Sequence, residues 1–113
     1  MADIKRFGKT DDGTDASVYT LSCGEVTARV TDFGATLLSL CAPDREGRRA
    51  DIVLGFDRLD GYFDNPACYG ATIGPSANRT DRGQVAIGGT TYQMPRNDGP
   101  DGRNNLHTDL THG

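Results

Sequence analysis

A chain of 113 residues with a net charge of −4, no Trp, fifteen glycines and five prolines is long enough for one modest core. It is cut by too many turn formers for a helical bundle. Sixteen acidic residues outnumber twelve basic ones and no basic run exceeds the length of Arg48-Arg49, which leaves no electrostatic footprint for nucleic acid.

The N-terminal stretch from Met1 to Gly13 has no apolar core of signal-peptide length, and no apolar run in the chain approaches the ~20 residues that cross a bilayer. Cys23, Cys41 and Cys68 are an odd count at spacings that fit neither a zinc motif nor a disulfide framework. A cytoplasmic protein with reduced thiols and no membrane partner is therefore expected.

In chain order, Asp11-Asp12-Gly13-Thr14-Asp15 packs carboxylates closely. It lacks the alternating ligands and flanking helices of a calcium loop, and reads as a solvated turn. Val18–Leu21 and Glu25–Thr31 are β-rich runs about a glycine, and the second alternates apolar with polar residues, which predicts a hairpin. Ala35–Cys41 predicts a third strand, bounded by Gly34 and a turn at Pro43–Gly47, and Asp51–Phe56 a fourth. Between Asp57 and Ala67 a structured loop is expected, with one helical turn around Leu59, because Gly61 and Asn65-Pro66 oppose a longer helix. Ala71–Ile73 is a short apolar strand candidate. Gln84–Ile87, Gly88-Gly89 and Thr90–Met94 give the clearest hairpin signal of the chain. From Pro95 onward there is neither strand nor helix period, only turn formers and polar side chains. These elements predict an antiparallel all-β fold, a sandwich or part of one.

Few of the polar motifs carry chemistry alone. Asn78-Arg79-Thr80 is formally a glycosylation acceptor, a chance match in a chain without a secretory signal. The glycines at 70, 74 and 83 lack the lysine and the helix start that a phosphate cradle requires. His107 and His112 are five apart, off the spacing of a helical zinc pair, so no metal is expected and both read as polar loop histidines. Asn78 and Arg79 are more informative: a planar fork of donors beside a group that both donates and accepts suits the hydroxyls of a sugar ring. The same pair also suits an ordinary solvated loop.

Taken together, several stretches occur in the order found in one family. They are Thr31–Leu40, Pro43–Gly47, Asp51–Asp57, Tyr69–Gly74, Ala77-Asn78-Arg79, Gly83 and Asn105-Leu106-His107. From about Tyr19 the chain resembles the N-terminal part of the aldose 1-epimerases, the mutarotases. The resemblance implies an antiparallel β-sandwich of galactose mutarotase type, of which residues 1–113 are the incomplete N-terminal part. It also implies an isomerase of carbohydrate metabolism that interconverts the α and β anomers of aldohexoses such as galactose and glucose, without a cofactor. A base takes the proton of the anomeric hydroxyl, an acid protonates the ring oxygen, and the opened ring recloses on its other face.

By the same resemblance Asn78 and Arg79 bind sugar hydroxyls, while His107 binds and orients the substrate. The family's main acid, a histidine, and its base, a glutamate, are expected beyond the end of this chain. Glu25 and Glu46 match no family base, and His112 is not assigned the acid's part. The chain is thus expected to be truncated and the isolated piece inactive, with association through unpaired strand edges. Pro75 stands where relatives carry an arginine, removing a cation and a backbone donor together. Two other readings use the same residues: a carbohydrate-binding or regulatory module without chemistry, and a structural subunit completed by another chain.

Overall fold

A computed structural model describes residues 2–108. The chain divides into two compact units, Met1–Thr72 and Ile73–Gly113. In the first, five strands form one antiparallel sheet in sequence order: β1 (Asp3–Lys9), β2 (Asp15–Cys23), β3 (Val26–Thr31), β4 (Leu37–Pro43) and β5 (Arg49–Asp51).

Strand β1 has no counterpart among the sequence expectations. Its run Asp3-Ile4-Lys5-Arg6-Phe7 is an edge pattern, too charged to stand out as apolar alternation. The carboxylate-rich stretch after it is the expected turn. Thr10 N–H donates to the Thr14 carbonyl at 2.9 Å, and the Asp12 carboxylate accepts the Thr14 N–H at 3.0 Å and the Thr10 hydroxyl. These bonds, that of the Thr10 hydroxyl foremost, hold the Asp12 carboxyl down at about 2. The β2–β3 hairpin is also as expected, with Cys23 paired to Val26 across the two-residue turn Gly24-Glu25.

Two strand expectations are corrected. The run Asp51–Phe56 contributes only Asp51 to the sheet. The Asp51 carboxylate accepts the N–H groups of Leu40 at 3.0 Å and Val53 at 3.1 Å, and this side-chain turn competes with continuation of the ladder. Ile52 and Leu54 are left 66% and 71% exposed. Residues 71–73 form no strand either. There the chain is pinned by the Leu37 N–H donating to the Gly70 carbonyl at 2.8 Å and by the Thr72 hydroxyl donating to the Ala35 carbonyl at 2.7 Å. The loop after Asp57 does carry one short 3-10 turn, Leu59–Tyr62, as expected.

Burial in this unit centres on Val18, Leu38 and Tyr62, with Phe7 and Phe33 packed against them. Register shifts on either side of the sheet assist: Phe7 is the extra residue between the Arg6–Ser17 and Gly8–Ala16 pairs, and Leu38 the extra residue between the Arg29–Ser39 and Val30–Leu37 pairs. Opposed residues of an antiparallel pair share a face, so Ile4, Tyr19, Leu21, Ala28, Val30 and Leu40 lie together. The buried cluster lies on the other face, with Val18 and its partner Thr31. Ile4 and Leu21 on the apolar face remain 58% and 49% exposed.

The second unit contains β6 (Arg79–Thr80), a 3-10 turn at Asp81–Gly83, the hairpin β7 (Gln84–Ile87) and β8 (Thr90–Gln93), and β9 (Asn105–Leu106). Gly88 and Gly89 take φ of 57° and 80°, the left-handed pair that a two-residue hairpin turn demands. After Pro95, where the sequence shows no strand period, β9 nonetheless pairs antiparallel with β6, and Asp98 bridges Asn104. Among the described residues no helix is long and apolar enough to cross a membrane.

Candidate functional site

The β6–β9 ladder is short, and its consequence is local. It pairs Arg79 with Leu106 and Thr80 with Asn105, which places Asn78 and His107 side by side just past the ladder's end. Their contact is reciprocal: the Asn78 backbone N–H donates to the His107 Nδ1 at 3.0 Å, and the His107 backbone N–H donates to the Asn78 carbonyl at 3.1 Å. A backbone N–H can only donate, so Nδ1 accepts and the proton of the neutral imidazole sits on Nε2. His107 thus offers an oriented N–H donor through Nε2. All three site residues named from the sequence, Asn78, Arg79 and His107, are brought together by this arrangement.

Backbone strain accompanies it. Asn78, His107 and Thr108 have φ of 64°, 56° and 64°, a left-handed region in which residues with a Cβ persist only when their surroundings hold them. Around His107 and Thr108 the holding groups are two asparagines, while Asn78 is held by His107 itself. Asn105 is fully buried; its Nδ2 donates to the carbonyls of Pro95, at 2.8 Å, and Thr108, while its Oδ1 accepts the Thr108 N–H at 2.9 Å. Asn97 accepts the Leu106 N–H at 2.7 Å and donates through Nδ2 to the carbonyls of Leu106 and Thr108, both at 3.0 Å. Asparagine suits both positions because one planar amide answers a backbone donor and a backbone acceptor together.

Arg79 makes a directed ion pair, its Nε donating to Asp98 Oδ2 at 2.7 Å, with side-chain exposures of 59% and 21%. Asp98 is itself placed by main-chain bonds: its N–H donates to the Asn104 carbonyl at 3.1 Å, and the Asn104 N–H donates back to its carbonyl at 2.9 Å. Asn97 and Asp98 were not singled out by sequence reasoning, and Asn105 was named only as part of the Asn105-Leu106-His107 stretch, with no role of its own. Their stretch reads as turn formers, and the one signal available was its density of asparagine.

The remaining sequence candidates fall elsewhere. Pro75 lies on an exposed bend ahead of β6. Glu25 occupies the β2–β3 turn, and Glu46 pairs with Arg48 in the turn before β5. His112 lies outside the described residues, and with it any pairing to His107. Among the described residues no group of three or more His, Cys, Asp or Glu is placed to hold a metal.

Sequence comparison decides the family. A model of the family described as aldose 1-epimerase matches residues 17–111, most of the chain. The chain belongs to the aldose 1-epimerase family. It is similar to a probable aldose 1-epimerase of Arthroderma benhamiae, 38% identical over 85 residues that cover 72% of this chain and 19% of that protein. It is similar also to the galactose mutarotase of Mus musculus, 34% identical over 99 residues, or 88% of this chain and 28% of the mouse protein. In structure it is similar to an aldose epimerase homologue from C. elegans, with a TM-score of 0.72 and 34% identity over 81% of this chain and 28% of that one. The all-β antiparallel fold is therefore of galactose mutarotase type. This chain spans less than a third of the length of these epimerase-family relatives.

Proposed function

We propose that this chain supplies part of the sugar-binding wall of a mutarotase that interconverts the anomers of an aldohexose such as galactose or glucose. The observation that carries the reading is the reciprocal Asn78–His107 bond pair beside Arg79, in a chain of the aldose 1-epimerase family.

In this reading the guanidinium of Arg79 and the amide of Asn78 engage ring hydroxyls, for which a planar donor fork and a mixed donor–acceptor are suited. His107 donates from Nε2 to a sugar oxygen and fixes the ring's orientation. Its Nδ1 is committed to the Asn78 N–H. Ring opening requires one group to take the anomeric proton and another to protonate the ring oxygen. These parts fall to groups other than Asn78, Arg79 and His107, and neither Glu25 nor Glu46, each set in a turn of the five-stranded sheet, is given them. The sequence-matched stretch binds and orients; it does not complete the proton transfers. An aldohexose is its partner, and no cofactor enters the reading.

Calorimetric titration with millimolar D-galactose tests the binding, and polarimetry on fresh α-D-galactose tests the chemistry. Saturable heat that is lost in Arg79→Ala, together with mutarotation at the buffer rate, is the expected pair of results. A flat titration overturns the sugar-site reading. Mutarotation well above buffer that disappears in His107→Ala overturns the assignment of His107 to orientation alone.

A further inference from the structure

The Arg79 side chain is bonded in an uneven way. Among the described residues its directed partner is Asp98, which takes the Nε–H at 2.7 Å, whereas a carboxylate meeting the fork end-on would consume the terminal amino groups that give arginine its bidentate reach. The side chain of Asp98 is 21% exposed and that of Arg79 59%, so the pair is sheltered on the acid's side and open on the guanidinium's. The acid's backbone is independently fixed by the double main-chain bridge to Asn104, and the neighbouring Asn97 locks Leu106, the cross-strand partner of Arg79. Asp98 is thereby positioned without help from its own carboxylate.

We infer that Asp98 is a positioning residue for sugar recognition: it holds the Arg79 guanidinium by its Nε edge and turns the terminal amino groups toward adjacent hydroxyls of the bound sugar. This rests on the sugar-site reading of Asn78, Arg79 and His107. An arginine on an exposed two-residue strand samples many rotamers. Fixing one of them before the sugar arrives reduces the ordering cost of binding. The chemistry of the partner follows from what the described residues leave free, a pair of parallel N–H donors matched to two neighbouring oxygens on one ring.

The test compares D-galactose affinity by calorimetry in the unsubstituted chain, Asp98→Ala, Asp98→Asn and Arg79→Lys, with the Arg79 Nε–H resonance followed by NMR. Asp98→Ala is expected to weaken binding about fivefold, the scale of one charge-assisted hydrogen bond partly exposed to solvent. It should also shift the Nε–H signal toward that of a free arginine. Asp98→Asn, which keeps an acceptor at the same place, should restore affinity to within about twofold. In an Arg79→Lys background, where no Nε edge exists, Asp98→Ala should have no further effect. Unchanged backbone shifts at Asn78 and His107 separate positioning from a general loss of folding. Galactose binding by the unsubstituted chain with full affinity in Asp98→Ala overturns the positioning role alone. An Asp98→Ala loss that persists undiminished in Arg79→Lys also overturns it, since the acid would then act without the arginine. Absence of binding in the unsubstituted chain overturns the sugar-site reading and this role with it.

Discussion

Asn105 shows how much of the site depends on a single amide. It is fully buried, and its three bonds serve Pro95 and Thr108. Those bonds bracket His107 and hold its left-handed backbone. Asn105→Ala removes the partner of the half-buried Thr108 N–H and of the Pro95 carbonyl and one of two donors to the Thr108 carbonyl, at a cost of about 1 kcal/mol. Asn105→Asp is expected to be worse, because an oxygen would then face the two carbonyls that now accept from Nδ2. Denaturant midpoints should fall in the order unsubstituted, Ala, Asp, and amide exchange at residues 105–108 should accelerate in both variants. Unchanged exchange there would show that the clamp is unnecessary. At this scale the intrinsic chemistry of Asn78 and Arg79 drew notice in the sequence, His107 and Asn105 entered only through the motif Asn105-Leu106-His107, and Asn97 and Asp98 gave no sign. An asparagine that clamps a loop and one that decorates it are the same letter until the loop is closed.

Elements whose signal is local were legible in the sequence. The β2–β3 and β7–β8 hairpins each combine a two-residue turn with flanking strands, and Gly88-Gly89 supplies the required left-handed pair without a Cβ. Where a side chain competes with the ladder, the apolar pattern misleads: Asp51 takes the N–H groups of Leu40 and Val53, and the apolar run after it leaves the sheet. Alternation in β3 likewise marks one face as apolar, yet the buried cluster of this unit is gathered on the other, where Phe7 and Leu38 are delivered by register shifts that no period encodes. Gly70 shows a similar dependence on distant chain. A Cβ built there would lie 1.9 Å from the Leu37 carbonyl oxygen, at a φ of 63°. Gly70→Ala must therefore push β4 away or break the Leu37–Gly70 bond, and we expect a loss of at least about 2 kcal/mol by thermal or chemical unfolding. A loss of a few tenths would mean that the strand yields freely at that point.

For the molecule as a whole, the family was legible because its signal is an ordered series of motifs spread from Thr31 to His107, and the match over residues 17–111 bears that out. The three residues named from the sequence are 29 positions apart at their extremes and meet through the Asn78–His107 bond pair. What holds them was not legible, since it depends on closure of the loop between β8 and β9. The sheet's outer strands also carry protection against pairing with other chains: β5 is three residues long with a charge at each end, and β1 combines Lys5 and Arg6 with a bulge at Phe7. In the proposed function these three residues form a wall that grips a sugar. Titrating the isotopically labelled chain with D-galactose while mapping backbone amide shifts tests it most directly. Saturable shifts concentrated at Asn78, Arg79 and residues 106–108, abolished by Arg79→Ala, are expected; shifts absent there, or confined to the β1–β5 sheet, would rule out a sugar wall at these residues.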